Sequence, residues 1–355
     1  MVNSLIVKPI GLVDQRQGGI MMNLARYPRR RYTKGQTPLA NLPRFSQAIG
    51  GPNIYIKRDD MLELTGGGNK TRKLEFLVAD ALAQGADTLI TCGGVQSNHC
   101  RLTLAAAVRE GMNCRLVLSE IDPGSYSSST NGNVFLYHLL GVEKVKVVSW
   151  GADLTEELQK VADEVVADGH KPYIIPMGGS NPLGVLGYVA CAEEIMNQAF
   201  DMGLEIDHIV LPDGSAGTHS GLLLGLYGNN CNIPTMGISV LNSKEVLEKR
   251  IAELVQETAE YMEIDVKIPR DAIVCCDKYI GPGYTRPTSE MIEAVKLLAR
   301  TEGVLLDPTY TGKAMAGLID LVKKGVLRKG DNVLFLHTGG SPGLYANTPL
   351  FMPQV

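Results

Sequence analysis

From Asn53 to the C-terminus, short β-branched runs alternate with stretches whose apolar positions recur at helical spacing. "NIYIKRDD" (53–60) reads as the first strand. Behind it, "LTGGGNKTRKLEFL" (64–77) opens an amphipathic helical pattern. In it Leu74, Leu77, Val78, Ala81 and Leu82 recur until Gly85 supplies a stop. Further strands are predicted at 87–94, 113–120, 144–150 and 171–179, with helices at 98–111, 132–141 and 154–169 between them. A long helix from Leu183 to about Met202 leads into a second series, with strands at 207–214, 235–241, 272–279 and 332–340. Helices near 243–263, 288–302 and 312–324 cover these. Such alternation predicts an α/β fold of parallel strands joined by right-handed crossovers. At 355 residues the chain is longer than one core usually stays, so two lobes are expected. There is no repeat period of about 20–50 residues.

With 45% apolar and 20% charged residues, the composition is that of an ordinary globular protein. A formal charge of −4 gives no reason to expect nucleic acid as a partner. The basic cluster "RYPRRRYTK" (26–34) is short and interrupted by proline, and reads as a solvated surface segment. Seven cysteines, scattered and without a C-x-x-C pair, fit buried free thiols in a reducing compartment. The six histidines share no ligand spacing with them, so no metal site is expected. The first twenty residues hold an apolar stretch broken by Lys8 and Pro9, too weak for a secretory signal or a membrane span. Cytoplasmic location is the default. Residues 1–20 are expected to be a disordered extension, with Met21 and Met22 as alternative starts, and "PGSYSSST" (123–130) a flexible surface loop.

Glycine punctuation follows several strands: "TGGGNK", "TCGGVQSNH", "MGGSNPLG", "PDGSAGTHSG" and "HTGGSPG". In an open parallel sheet ligands bind beyond the carboxyl ends of strands, so these loops point to one cleft, although any one of them would serve equally as a turn. No G-x-G-x-x-G follows a strand, and "GGGNKT" lacks the glycine that a P-loop needs before its lysine. A dinucleotide or ATP site is therefore disfavoured. "GSAGTH" (214–219) stands between an apolar strand and a helical run; its small residues and helix start would suit a single phosphate, or merely cap a helix. Lys70 would become a nucleophile only if largely neutral, which burial or the cations Arg72 and Lys73 would promote. An exposed, solvated lysine is the alternative until the wider motif context is weighed.

That context is specific. "GGGNKTRKLEFLVADAL", "QSNHCR", "GSAGTH", "GPGYTRP", "LLDPTYTGKAMAGL" and "HTGGSPGL", in this order, resemble the D-cysteine desulfhydrase and 1-aminocyclopropane-1-carboxylate deaminase family. These are fold type II, tryptophan-synthase-β-like enzymes that use pyridoxal 5'-phosphate, and the similarity runs from about Met22 to the C-terminus. The resemblance implies two domains with open twisted, mostly parallel sheets flanked by helices: a large one built from segments 1–69 and 183–355, and a small one at 70–182. It also implies a homodimer acting on a small amino acid.

Carried over by motif, Lys70 would hold the cofactor aldehyde as a Schiff base and move the substrate Cα proton. Asn98 would hydrogen-bond the cofactor's 3-oxygen, and Gln96 and Ser97 would lie along the substrate carboxylate, with Ser97 also able to assist proton transfer. Ser215, Ala216, Gly217 and Thr218 would cradle the phosphate with help from Lys73. Tyr284 and Tyr310 would approach the substrate. Ring-opening members typically carry glutamate after the second tyrosine and leucine in the "HxGG" block, where this chain has Thr311 and Thr338. A threonine can hydrogen-bond the pyridine nitrogen without fixing a positive charge on it, which favours β-elimination. The expected reaction is conversion of D-cysteine to pyruvate, hydrogen sulfide and ammonia. L-cysteate is the next substrate, then the cyclopropane amino acid; a non-catalytic carrier of the cofactor is the rival of a different class.

Overall fold

The computed structural model describes residues 22–127 and 131–352. The predicted extension at 1–20, Met21 and part of the 123–130 loop lie outside these residues. The chain enters through β1 (Leu39–Asn41), α1 (Pro43–Ile49) and β2 (Asn53–Arg58). After α2 (Lys70–Ala83) come β3 (Thr88–Gly94), α3 (Asn98–Glu110), β4 (Asn113–Glu120) and α4 (Asn133–Leu139). Next are β5 (Lys144–Ser149), α5 (Leu154–Ala167), β6 (Pro172–Ile175) and the long α6 (Pro182–Met202). The rest comprises β7 (His208–Asp213), α7 (Gly217–Gly228), β8 (Thr235–Ser239), α8 (Lys244–Met262) and β9 (Val274–Cys276). It closes with α9 (Ser289–Glu302), α10 (Thr311–Lys323), β10 (Asn332–His337) and α11 (Ser341–Tyr345).

Two sheets result, one ordered β1-β2-β10-β7-β8-β9 and the other β5-β4-β3-β6. All pairs are parallel except β1 with β2. β2 pairs with β10, Asn53 opposite Asn332, so the two ends of the chain meet in the larger sheet. In β4 every residue from Cys114 to Ser119 is buried, as expected of a central strand covered by helices on both faces. We propose domain boundaries near residues 70 and 182; β3 to β6 lie between them, and α2 packs on α6 at the junction.

The periodic elements fall where the pattern put them, but β1, α1 and α11 were not anticipated. They are too short to show a period; α1 declares itself only by Pro43 at its start and Gly50, at φ +64°, at its end. The basic cluster is not simply solvated: Arg26 pairs with Glu263, Arg29 with Glu75 and Arg30 with Glu110, and Tyr32 is buried. The segment staples itself across α8, α2 and α3. All seven cysteines are free thiols, five of them buried.

Helix α2 departs most from expectation. Its apolar positions face the core under the smaller sheet, but Arg72, Lys73 and Glu75 are buried as well. Glu75 accepts from Arg29 and from the Tyr32 backbone N–H. Arg72 donates to both oxygens of Asp59, at 2.8 Å each, and to Glu194 at 2.7 Å. Lys57 also reaches Glu194, and Tyr188 donates to Asp59 at 2.6 Å. Burial alone would raise the Asp59 carboxyl; the charge and hydrogen bonds of Arg72, with Lys57 and Tyr188, outweigh it and hold the pKa below the ordinary value. Gly187 lets α6 come this close, since a Cβ there would stand 2.4 Å from the Arg72 carbonyl.

Removing one partner of a buried ion pair leaves the others uncompensated. Arg72→Met is therefore expected to destabilise the protein by about 3–5 kcal/mol in urea titrations. Lys160→Ala, which removes an exposed pair on α5, is expected to leave the midpoint unchanged.

Candidate active site

The carboxyl ends of β3 and β7, the start of α2 and the loops before α10 and after β10 line one cleft. Lys70, Ser97, Asn98, Ser215, Thr218, Tyr284, Tyr310 and Thr338 all line it. Gln96, Lys73, Ala216, Gly217 and Thr311 do not, for different reasons.

Lys70 is the first residue of α2, and its Nζ donates to Asn69 Oδ1 at 3.0 Å. Burial, assisted by the charge of Arg101 and opposed by Asp213, lowers its pKa to about 8. Arg72 plays no part in this. Residues two apart on a helix project to opposite sides, and Arg72 is spent on Asp59 and Glu194. Lys73, three apart, shares the side of Lys70; its Nζ donates to Gly178 O at 3.0 Å and Ser180 Oγ at 3.1 Å. Among the described residues no carboxylate pairs with it, and burial followed by the charge of Lys70 pushes its pKa down.

Opposite Lys73 is the start of α7. A Cβ on Gly217 would lie 2.6 Å from both Lys73 Nζ and Ser180 Oγ, so glycine is what lets this loop approach the ammonium. Ala216 holds φ +68°, a left-handed conformation uncommon for a residue with a side chain. Asp213 fixes it by accepting from Ala216 N at 3.2 Å and pairing with His219 Nδ1 at 2.9 Å. Asn69 Nδ2 donates to Thr218 Oγ1 at 2.9 Å and so ties this loop to Lys70. The first-turn N–H groups of α7 have no acceptor within the helix. Ala216 N–H is spent on Asp213 and Gly217 N–H on Ser215 O at 2.8 Å. The later N–H groups of that turn, the helix start and the buried Lys73, which no carboxylate among the described residues pairs, fit a phosphate group, whose charge would offset the cost of burying Lys73.

At the other end of the cleft, Ser97 is the N-cap of α3, its Oγ accepting from Cys100 N. Asn98 Oδ1 accepts from Arg101 Nη1 and Asn133 Nδ2, each at 2.9 Å. That fixes the amide and leaves its NH₂ as the group offered to a ligand. Gln96 lines an adjoining cavity instead; its side chain is occupied by the Asn133 N–H and the Asn131 carbonyl. The expectation that it touches the substrate carboxylate is not met in this arrangement. Thr311 also departs from expectation: its hydroxyl bonds Asp307, which caps the start of α10 by accepting from Thr309, Tyr310 and Thr311 N–H groups. Thr338 alone of the two threonines faces the cleft.

Tyr284 and Tyr310 meet hydroxyl to hydroxyl, their rings edge to face at 5.9 Å. Burial raises both phenols, Tyr284 to about 12, so both stay protonated at neutral pH. Sequence reasoning missed Asn69, Arg101, Asp213, Asp307 and Trp150. Asp213 ends a strand, where ligands are expected, Asn69 adjoins the lysine, and Arg101 and Asp307 lie within the quoted motifs "QSNHCR" and "LLDPTYTGKAMAGL"; Trp150 carries no local signal. Among the described residues, the acidic side chain lining the cleft is Asp213, already committed to Ala216 and His219. The residues present thus fit pyridoxal phosphate, with Lys70 for its aldehyde, Asn98 and Thr338 for its ring substituents, and Lys73 with the 215–218 loop for its phosphate.

The family model described as "Pyridoxal-phosphate dependent enzyme" matches residues 31–339. A solved structure described as an ACC deaminase homologue is 38% identical, with TM-score 0.82, covering 92% of this chain and 96% of that one. A hydrogen sulfide-producing enzyme from Fusobacterium nucleatum is 18% identical, with TM-score 0.60, covering 87% of this chain and 96% of that one. A fungal L-serine ammonia-lyase from Rhizomucor miehei is 16% identical, with TM-score 0.63, covering 89% and 97%. The last two show a shared fold. The family model over residues 31–339 and the 38% identical structure establish that the chain belongs to the fold type II family of pyridoxal-phosphate dependent enzymes, and the cleft's residues fit that cofactor.

Proposed function

We propose that the protein is a lyase that removes a β-substituent from a small amino acid, with D-cysteine as its first substrate, releasing pyruvate, hydrogen sulfide and ammonia. One observation carries this: the cleft brings a lysine of lowered pKa together with hydroxyl donors, while its carboxylate, Asp213, is already committed. The position at which ring-opening members of the family carry glutamate is Thr311 here, its hydroxyl bound to Asp307, and the position of their leucine is Thr338, whose hydroxyl faces the cleft. A cleft without that added acid supports elimination over ring opening.

Pyridoxal phosphate, when bound, withdraws electrons from the substrate Cα and makes its proton acidic. Lys70 has a substantial neutral fraction near neutral pH, so it can both hold the cofactor and carry that proton. Ser97 Oγ already accepts from Cys100 N, which leaves its O–H as a donor for the substrate carboxylate. The free N–H groups at the start of α3 add partial positive charge on the same side. Of the two tyrosines one donates to the other, and the remaining O–H is available to protonate a departing sulfide.

Borohydride reduction of the holoenzyme should attach the cofactor to the peptide containing Lys70. Lys70→Ala should lose the absorbance above 400 nm and lower turnover on the order of 10²–10⁴-fold; an adduct elsewhere contradicts the assignment. Because only the neutral amine reacts, the rate of cofactor uptake by apoprotein should rise about tenfold per pH unit below about 8 and level off above it. A rate still climbing above pH 9 would show an unshifted amine. Pyruvate release should be fastest with D-cysteine in a panel that includes L-cysteine, L-cysteate and the cyclopropane amino acid. Appreciable 2-oxobutyrate from the last would refute the elimination reading.

A further inference from the structure

We propose that Trp150 is a specificity-determining residue of this site: its indole, stacked on Tyr284, limits accepted substrates to those with a β-substituent of one heavy atom, such as a thiol. The proposal rests on the elimination reading above and narrows its substrate class. Alkylated thiols and the sulfonate of cysteate fall outside the limit.

Trp150 follows β5, the edge strand of the smaller sheet, and its backbone N–H donates to Glu120 O at 2.8 Å. Its indole lines the cleft and lies nearly parallel to the Tyr284 ring, centroids 5.9 Å apart at 21°. Tyr284 in turn meets Tyr310 edge to face. Three rings thus form one wall, Trp150 supplied by the smaller-sheet side and the tyrosines by the larger. The side chain remains 47% exposed, so core burial does not account for it. Its aromatic face is used on Tyr284, which the elimination reading places beside the leaving group. Whatever lies beyond that group must fit under the indole.

The wall is held from both sides. Thr285 sits at φ +63°, in the left-handed region that β-branched residues rarely adopt. The residues flanking it both engage the smaller-sheet side, Tyr284 on Trp150 and Arg286 on Asp122 at 2.6 Å. Glu120 organises that side: its carbonyl receives Trp150 N, and its carboxylate receives Gly124 N at 2.9 Å and Tyr126 N at 2.8 Å, in the loop that carries Asp122. Behind Tyr284, the buried Lys313 of α10 donates to Ile280 O at 2.7 Å and Gly283 O at 2.8 Å, fixing the loop from the tyrosine side. The exposed Arg286–Asp122 pair adds little to this. The backbone contacts of Glu120 on one side and of buried Lys313 on the other are what a longer substituent would have to displace, as a size limit requires.

The test compares wild-type holoenzyme with Trp150→Ala and Trp150→Phe on D-cysteine and S-methyl-D-cysteine. Trp150→Ala should raise the S-methyl to thiol ratio of kcat/KM at least tenfold, chiefly through KM, while Trp150→Phe restores the wild-type ratio. A ratio within twofold of wild type in Trp150→Ala overturns the proposal. Trp150 is the sole tryptophan of the chain, so its emission reports the wall directly in the unmodified protein, even if the alanine variant does not fold. D-alanine, which has no β-leaving group, should change that emission on binding to wild-type holoenzyme, and an unchanged emission at saturation counts against the wall. Absent absorbance above 400 nm in the wild type would sink the lyase reading instead; intact absorbance with unchanged ratio and emission sinks only the role of Trp150.

Discussion

Helix α2 enters the interior with Lys70, Arg72, Lys73 and Glu75 in its first turns, and it can do so only because each charge has a separate destination. Helical geometry sorts them. Lys70 and Lys73, three apart, face the cleft, while Arg72 and Glu75, also three apart, face the opposite side, where Asp59, Glu194 and Arg29 neutralise them. Without those partners the helix start would move toward water, and Lys70 would regain the high pKa of an exposed ammonium. The buried setting of Lys70 therefore depends on an ion-pair network on the far side of its helix.

The remaining cleft residues are set by the same division of labour. Cleft and loop groups are fixed by neighbours: Asn98 by Arg101 and Asn133, Ala216 by Asp213, Lys70 and Thr218 by Asn69. Of the four non-glycine residues at positive φ among the described residues, Ala216 stands at the start of α7 and Thr285 beside Tyr284. Such conformations persist only where surrounding contacts over-determine them. Here Asp213 supplies those contacts at one position, while Lys313 and the ring stack supply them at the other.

The family and the place of the cleft were legible because six motifs lie in register along the chain and because strand ends declare themselves by glycine. Lys70, Ser97, Asn98, Tyr284, Tyr310 and Thr338 are read from those motifs and all reach one cleft. Gln96 and Thr311 are read from the same motifs yet turn to the Asn131–Asn133 backbone and to Asp307. A motif fixes which residue follows which; the direction of one side chain depends on partners 35 residues away for Gln96 and four for Thr311.

By itself the amino-acid order determined the local matters: the helical and strand periods, the capping glycines, the cysteines as free thiols and the lysine at a helix start. Those follow from interactions within a few residues, so they can be read without a fold. Only the tertiary structure decided that the polar side of α2 is buried and paired, that Arg101 rather than Arg72 acts on Lys70, and that Trp150 closes over Tyr284. Each of these joins segments far apart in the chain, and the energy that fixes them exists only once both sheets have brought the partners together.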